Sequence, residues 1–205
     1  MRNSRVRCLV AFTFYFSFMQ VLLAQPIDSA PLPSSELIKA LQSGGHIIYM
    51  RHSQTDHKQK DQGATSLEHC DLQRNLSVAG REMAQSIGSA IKRLNIPIED
   101  VLSSPYCRCK DTAKLAFGDF KIEPNLQFSF SKNDKESKKL GEKLYEMMMS
   151  DSNHALNSVF VGHTSNLRDG LGVWPKPEGA VAIFQKLEGR IIYKGLIKPN
   201  EWPIL

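Results

Sequence analysis

The stretch His46–Asp56, HIIYMRHSQTD, decides the fold of this chain. Its first five residues are mostly apolar and rich in β-branched side chains, which predicts a short buried strand. The strand continues without a turn signal into Arg51 and His52. An isolated Arg-His pair is more typical of a solvated strand end than of a binding site. The same arrangement recurs later in the chain, however, and that recurrence favours a functional interpretation.

The rest of the chain alternates between segments with helical and strand patterns. An amphipathic pattern after Ser77 predicts a long helix to about Asn95, and Pro97 ends it. Such alternation predicts an α/β fold, a three-layer α/β/α sandwich with a mostly parallel sheet and a C-terminal antiparallel hairpin. The other predicted elements are helices from Ser34 or Ser35 to Gly44, up to Gly118, over 132–149 and over 166–171, and strands at 101–102, 122, 158–162, 180–186 and 191–197.

The first residues are typical of a targeting segment. Arg2, Arg5 and Arg7 precede an apolar run from Cys8 to Leu23, and Ala24 is small enough for cleavage. We therefore expect a signal peptide over 1–24, a Pro-rich linker over 25–33 and one domain over 34–205. The alternative is an uncleaved membrane anchor. Cleavage predicts a periplasmic or secreted protein with no stable membrane insertion.

Net charge and cysteine content limit the classes of protein to which this chain can belong. Removing the three Arg of 1–24 from the formal charge of +5 leaves +2, which is too little for a nucleic-acid-binding surface. Cys70, Cys107 and Cys109 then remain in an oxidising compartment. We expect Cys70 to pair with Cys107 or Cys109, because both loops should border the same crevice. Three free thiols are the alternative.

Charged side chains follow three predicted strands. Arg51 and His52 follow the first strand, Arg108 lies just beyond the second, and His163 follows the strand at 158–162. The carboxyl ends of parallel strands meet at one sheet edge, where such folds bind ligands. Because guanidinium groups grip phosphate oxygens in pairs and keep their charge, two Arg and two His at this edge predict a site for a dianion.

Four segments together resemble the histidine phosphatase superfamily, whose members include phosphoglycerate mutases and acid phosphatases. MRHSQT is similar to its first-histidine signature, and QRNLSVAGREMA resembles the segment that follows. SSPYCRCKDTA resembles its second-arginine motif and VGHTSNL its second-histidine motif. Each match is weak alone, but the four occur in the family's order. The resemblance implies a phosphoglycerate mutase-like fold.

The resemblance also implies roles for individual residues. His52 would be the nucleophile that forms a phosphohistidine, and Arg51, Arg108 and His163 would bind the phosphoryl oxygens. Thr55 stands where the family often has a hydroxyl near the phosphate. The implied enzyme needs neither a metal nor another cofactor, because fixed cationic side chains stabilise the transferring group.

The chain departs from the family at the general acid. Ser53 stands where a Gly is usual, Leu126–Phe128 contains no carboxylate where many members have a Glu, and Thr164 replaces the Asp of the acid-phosphatase branch. Glu178, in the loop before a strand, is our predicted acid. Asp56 is the competing candidate, and the third possibility is that no carboxylate serves.

These expectations amount to a phosphomonoester hydrolase that acts through a phosphohistidine. Its substrate would be a phosphorylated small molecule or a phosphoprotein. The alternatives are a protein phosphohistidine phosphatase and a catalytically weak phosphate-binding or regulatory protein of the same fold. No feature of the sequence favours a particular substrate or oligomeric state.

Overall fold

A computed structural model describes residues 30–62, 67–129, 132–150 and 155–202. The expected signal peptide over 1–24 and the first residues of the expected linker lie outside these ranges. Leu32, at the end of the expected linker, already lies along the last strand, where its backbone N–H donates to the Lys194 carbonyl at 2.7 Å. None of the helices in the described ranges has both the length and the apolar character that crossing a membrane requires.

The described residues form one six-stranded mixed sheet. Its strands are β1 (Ile47–Arg51), β2 (Ile98–Ser103), β3 (Lys121–Ile122), β4 (Asn157–Gly162), β5 (Val181–Leu187) and β6 (Arg190–Ile197). The spatial order is β3-β2-β4-β1-β5-β6. Strands β1 to β4 run parallel, whereas β5 pairs antiparallel with both β1 and β6. The predicted parallel sheet with an antiparallel C-terminal hairpin is confirmed.

Helices cover both faces of the sheet, as predicted. The helices are α1 (Ser34–Gln42), α2 (Val78–Arg93), α3 (Cys107–Phe117), α4 (Asp134–Ser150) and α5 (Thr164–Leu171). Side chains of β1 alternate between the faces: Ile48 and Met50 pack with α1, α2 and α3, whereas Ile47 and Tyr49 pack with α4 and α5. The buried strand is apolar on both sides because each face carries a helical layer.

The ends of the helices follow from local sequence. The Ser77 hydroxyl accepts the Gly80 N–H at 3.0 Å and so caps α2, as predicted. Val78, the first residue of α2, is 76 % exposed. Gly172 ends α5 in the left-handed conformation with φ of 70°.

Candidate active site

Three of the predicted side chains meet at the carboxyl edge of the parallel strands. His52 directly follows β1, His163 directly follows β4, and Arg108 lies in the first turn of α3, beyond β2. The two imidazole rings have their centroids 5.4 Å apart in an edge-to-face arrangement. All three side chains are buried. Neighbours among these three residues are more than 50 positions apart along the chain. They meet because neighbouring parallel strands share a direction and end at the same edge of the sheet.

Hydrogen bonding selects which nitrogen of His52 carries its proton. The Nδ1 atom lies 3.0 Å from the Ser53 carbonyl, which can only accept, so Nδ1 is the donor. The lone pair of neutral His52 is thus on Nε2. Thr112 of α3 supports this turn, because its hydroxyl donates to the Arg108 carbonyl at 2.7 Å and accepts the Ser53 N–H at 2.9 Å. The Thr112 side chain therefore links the residues after β1 to α3, the helix that carries Arg108.

Both histidines are held in the neutral form. Burial lowers the pKa of His52 well below its ordinary value, and the nearby charges of Arg108, Arg51 and Arg74 lower it further. Burial also lowers the pKa of His163 well below the ordinary value, followed by the charge of Arg108. A neutral imidazole has a free lone pair, so His52 has the protonation state that a nucleophile requires.

The second histidine is fixed by a serine that sequence reasoning missed. The Ser104 hydroxyl lies 3.0 Å from His163 Nε2 and accepts the Tyr106 N–H at 3.4 Å. With Ser104 donating to Nε2, the ring proton of His163 lies on Nδ1, which is buried without a hydrogen-bond partner among the described residues. Cys109 Sγ lies 3.5 Å from the same Nε2. Burial raises the pKa of the Cys109 thiol to about 12, so the sulfur is uncharged here.

Arg108 lies between two aromatic rings and a carboxylate. Its guanidinium carbon is 4.5 Å from the ring centroid of Tyr106 and 5.5 Å from that of Phe128. Its Nη1 donates to Asp61, at 3.0 Å from Oδ1 and 3.3 Å from Oδ2. Asp61 belongs to the polar loop after His57.

Glu178 lies at the same edge as predicted, but its contacts are with other site residues. Its Oε1 accepts the Thr55 hydroxyl at 3.0 Å and lies 3.4 Å from Arg51 Nη2, and its Oε2 accepts the Thr55 N–H at 2.9 Å. His57 Nε2 is 3.4 Å from Oε2 and Arg74 Nη2 is 3.9 Å from Oε1. Both carboxylate oxygens therefore act as acceptors, and the Thr55 hydroxyl is directed at Glu178.

Asp56, the competing acid, is differently placed. Its Oδ1 accepts the Lys58 N–H at 2.9 Å within a turn. No hydrogen bond or ion pair between its carboxylate and Arg51, Arg108 or Glu178 is found in the described part of the chain.

Four unpartnered donors surround the two histidines. The Nε atoms of Arg51, Arg74 and Arg108 are buried without hydrogen-bond partners in the described ranges, as is His163 Nδ1. Buried donors without acceptors are costly, so in native structures a ligand or an ordered water commonly satisfies them. Guanidinium and imidazole donors are the groups that bind an anion with several oxygens, such as a phosphoryl group.

A disulfide braces the arginine. Cys70 is bonded to Cys107, the residue before Arg108, and Cys109 is free and buried. The expected pairing of Cys70 is confirmed, and Cys107 is the partner. The Gln73 side chain adds a second tie, because its Oε1 accepts the Cys107 N–H at 2.9 Å.

Three site residues were not predicted as such from the sequence. Arg74 lies in the quoted segment QRNLSVAGREMA, so its motif was noticed but not its role. Ser104 follows β2 in the second-arginine motif, where its position beside a strand end was an available signal. Asp61 has no local signal, because its approach to Arg108 depends on the path of the loop.

A cavity of about 540 Å³ adjoins the cluster. Arg51 and Glu178 of the site line it, and Met83, Pro177 and Pro199 provide apolar walls. Within the described ranges, no three His, Cys, Asp or Glu side chains are grouped closely enough to hold a metal ion.

Comparisons with known proteins give one family match and several similar solved structures. Residues 47–130 match the model of the histidine phosphatase superfamily, branch 1. No curated protein sequence matches the chain.

Solved structures share the fold at low sequence identity. A phosphoserine phosphatase mutant of Entamoeba histolytica with bound phosphoserine has a TM-score of 0.56 at 17% identity, over 76% of this chain and 98% of its own. The α-ribazole phosphatase of Shigella flexneri has a TM-score of 0.55 at 14% identity, over 75% and 96% of the two chains. The protein histidine phosphatase SixA with tungstate has a TM-score of 0.50 at 16% identity, over 76% and 97%.

Proposed function

We propose that the chain, whose residues 47–130 match the model of the histidine phosphatase superfamily, hydrolyses phosphomonoesters through a phosphohistidine on His52. The observation that carries the proposal is the set of unpartnered buried donors around a neutral, buried His52. Arg51, Arg108 and His163 bind the phosphoryl oxygens in this mechanism, and Arg74 adds a third guanidinium. The similar solved phosphatases support this chemistry by their shared fold.

The reaction has two steps. His52 Nε2 attacks phosphorus, the bond from phosphorus to the alcohol oxygen breaks, and a proton donor protonates the leaving alkoxide. Water then attacks the phosphohistidine, returns a proton to that donor and releases phosphate. Fixed guanidinium groups stabilise the equatorial oxygens in both steps. They supply the positive charge that a metal ion provides in other phosphatases, so we propose a metal-independent enzyme.

Glu178 is the proposed proton donor. It lies next to Gly179, whose N–H donates to the His52 carbonyl at 2.9 Å, so its loop borders the nucleophile. In the structure its carboxylate accepts hydrogen bonds from Thr55 and Arg51. To act as an acid, Glu178 has to exchange one of these contacts for a proton when substrate binds.

The substrate class that the site favours is a phosphorylated small molecule. The cavity beside Arg51 offers apolar walls to the alcohol part of such a molecule while its phosphate lies at the histidines. A protein phosphohistidine phosphatase is the second candidate. It is favoured by the acceptor role of both Glu178 oxygens, since an imidazole leaving group depends on an acid differently from an alkoxide.

Location is proposed from the sequence alone. The apolar segment over 1–24 supports export to the periplasm or the exterior, and the Cys70–Cys107 disulfide is compatible with an oxidising compartment. Detecting the mature protein, with Gln25 as its first residue, in the exported fraction of the cell would test this proposal.

Rapid acid or base quenching of the protein with ³²P-labelled phosphomonoester tests the mechanism. We expect an acid-labile, base-stable adduct in the wild type and none in His52→Ala. Lys58→Ala, on the exposed loop, is the matched control and should form the adduct normally. Full turnover by His52→Ala would refute the mechanism, and phosphate binding without any turnover would indicate the catalytically weak binding protein.

A further inference from the structure

We propose that Asp61 is the positioning residue of Arg108, holding one end of its guanidinium group so that the Nε side faces the phosphoryl site. This inference rests on the proposed function, in which Arg108 binds phosphoryl oxygens. Asp61 itself would not touch the substrate in this role.

The contacts of Arg108 divide its donors into two sets. Nη1 donates to Asp61 Oδ1 at 3.0 Å, to Oδ2 at 3.3 Å and to the Arg74 carbonyl at 3.4 Å. Nε, at the other end of the same planar group, is buried and has no hydrogen-bond partner in the described ranges. Since the five N–H bonds of a guanidinium lie in one plane, fixing Nη1 also fixes where the Nε–H points.

The aromatic neighbours of Arg108 do not fix the rotation of its guanidinium group within its own plane, whereas Asp61 does. Tyr106 and Phe128 lie 4.5 and 5.5 Å from the guanidinium carbon. Contacts with ring faces restrict the tilt of the plane but allow the group to slide and rotate within it. The hydrogen bond from Nη1 to Asp61 sets that in-plane angle.

Asp61 is itself tied to the segment over 70–75. Its Oδ1 accepts the Arg74 N–H at 3.0 Å. On either side, the Asp56 N–H donates to the Asn75 carbonyl and the Gln62 N–H to the Leu72 carbonyl, both at 2.9 Å. The loop that carries Asp61 is therefore hydrogen-bonded to this segment at three points, one of which is the Asp61 carboxylate.

That segment is in turn fixed to the helix of Arg108. Cys70 is disulfide-bonded to Cys107, and Gln73 accepts the Cys107 N–H. Arg108 is hydrogen-bonded to Asp61, and Asp61 to the Arg74 N–H. The segment of Arg74 is joined by the disulfide to Cys107, at the start of the helix that carries Arg108. These contacts fix the relative position of Asp61 and Arg108.

The same arrangement holds a second arginine. Arg51 Nη2 lies 3.4 Å from Glu178, Nη1 donates to the Pro175 carbonyl at 3.3 Å, and Nε is again buried without a partner among described residues. Two carboxylates, Asp61 and Glu178, thus hold two arginines by their outer nitrogens. In both arginines, contacts through an Nη atom leave Nε without a partner among the described residues.

Inorganic phosphate binding to the whole protein, measured by calorimetry, tests the role of Asp61 without requiring turnover. Asp61→Ala removes the acceptor, and we expect phosphate to bind at least about tenfold more weakly, the loss of one hydrogen bond to a charged group. Asp61→Asn keeps an oxygen that can accept from Nη1 and from the Arg74 N–H. We expect its affinity to stay within about threefold of the wild type, a change under 1 kcal/mol.

Lys58→Ala is the control, because Lys58 lies in the same loop with its side chain exposed. Its phosphate affinity should be that of the wild type. Thermal unfolding checks that each variant is folded, and Asp61→Leu, similar in volume but without an acceptor, replaces the alanine variant should that one unfold.

Two results would overturn the inference: wild-type phosphate affinity in the folded variant without the acceptor, Asp61→Ala or Asp61→Leu in its place, or binding in Asp61→Asn that is as weak as in that variant. The second result would show that the charge of Asp61, and not its acceptor oxygen, matters. If the expected pattern appears but no phosphomonoester is hydrolysed, the positioning role stands and the proposed hydrolysis fails. The two failures are therefore distinguishable.

Discussion

The carboxylate of Glu178 accepts both donors of one residue, the backbone N–H of Thr55 at 2.9 Å and its hydroxyl at 3.0 Å. This pair joins the loop after the nucleophile to the loop before β5. It also explains why Thr55, expected near the phosphate, points its proton elsewhere. Glu178 has two possible tasks at this position, to orient Arg51 and Thr55 or to deliver a proton, and substitution separates them.

Glu178→Gln should slow hydrolysis of alkyl phosphates by roughly 10²–10⁴-fold if the residue is the acid, with a much smaller effect on nitrophenyl phosphate. The physical reason is that an alkoxide leaves poorly without a proton, whereas a nitrophenolate needs little help. Steady-state rates on both substrates provide the measurement. Equal, small losses on the two would remove Glu178 from proton transfer, and the same comparison on Asp56→Asn tests the competing carboxylate.

The stability of the protein should fall as pH decreases below about 6.5, the ordinary pKa of histidine. His52 and His163 have folded-state pKa values well below that value because both are buried. Below pH 6.5 the unfolded chain therefore binds protons that the folded protein does not, and each histidine costs up to about 1.4 kcal/mol of unfolding free energy per pH unit.

Urea unfolding between pH 7.5 and 5 measures this dependence. His52→Gln with His163→Gln removes both groups, and its unfolding free energy should depend less steeply on pH. Val78→Ala, at an exposed residue that does not titrate, is the control and should keep the wild-type slope. An unchanged slope in the double variant would contradict the buried neutral state.

Met83→Trp should reduce activity on substrates with bulky alcohol groups while sparing small ones. Met83 forms an apolar wall of the cavity beside Arg51, and a larger ring there takes up space without touching the histidines. The measurement is kcat/KM for a small alkyl phosphate and for a phosphate of a bulky cyclic alcohol. Val78→Trp, an exposed residue of the same helix, is the control; a uniform effect on both substrates would show that the cavity does not receive the alcohol.

Chelators should leave the rate unchanged, since arginine side chains supply the positive charge in the proposed mechanism. Orthovanadate should inhibit, because it adopts the five-coordinate geometry of the transition state. Rates with and without EDTA, and vanadate titrations, provide the measurements. Activity lost in EDTA and restored by zinc or magnesium would contradict metal independence.

Replacing Cys70 and Cys107 together by Ser should lower the unfolding free energy by roughly 2–4 kcal/mol. Phosphate affinity should fall as well, because the bond anchors the residue before Arg108. Denaturant unfolding and calorimetry measure the two effects. Cys109→Ser, which leaves the disulfide intact, is the comparison variant for phosphate binding. Unchanged phosphate affinity in the double variant would show that Gln73 alone suffices to position α3.

The parts of the site that follow strand ends could be predicted from the sequence. His52 and His163 each come directly after an apolar strand, and a parallel sheet brings such ends together regardless of the loops between them. Asp61 could not be predicted in this way, because its approach to Arg108 depends on a loop whose backbone pairs with residues 72–75. The partner of Cys70 was open for a similar reason. Cys107 and Cys109 point in different directions from α3. Cys107 faces the segment that carries Cys70, and Cys109 faces His163.

Because the Cys70–Cys107 bond anchors the residue before Arg108, the proposed affinity for phosphate would depend on the redox state of the compartment in which the chain folds. The bond joins residues 37 positions apart and lies outside the sheet, so the strands and helices can assemble before it forms. In a reducing environment the chain would have the fold and the histidines but only the noncovalent ties on α3. Under the proposed export, oxidation would be the last maturation step, and the proposed affinity for phosphate would be complete only once the bond has formed.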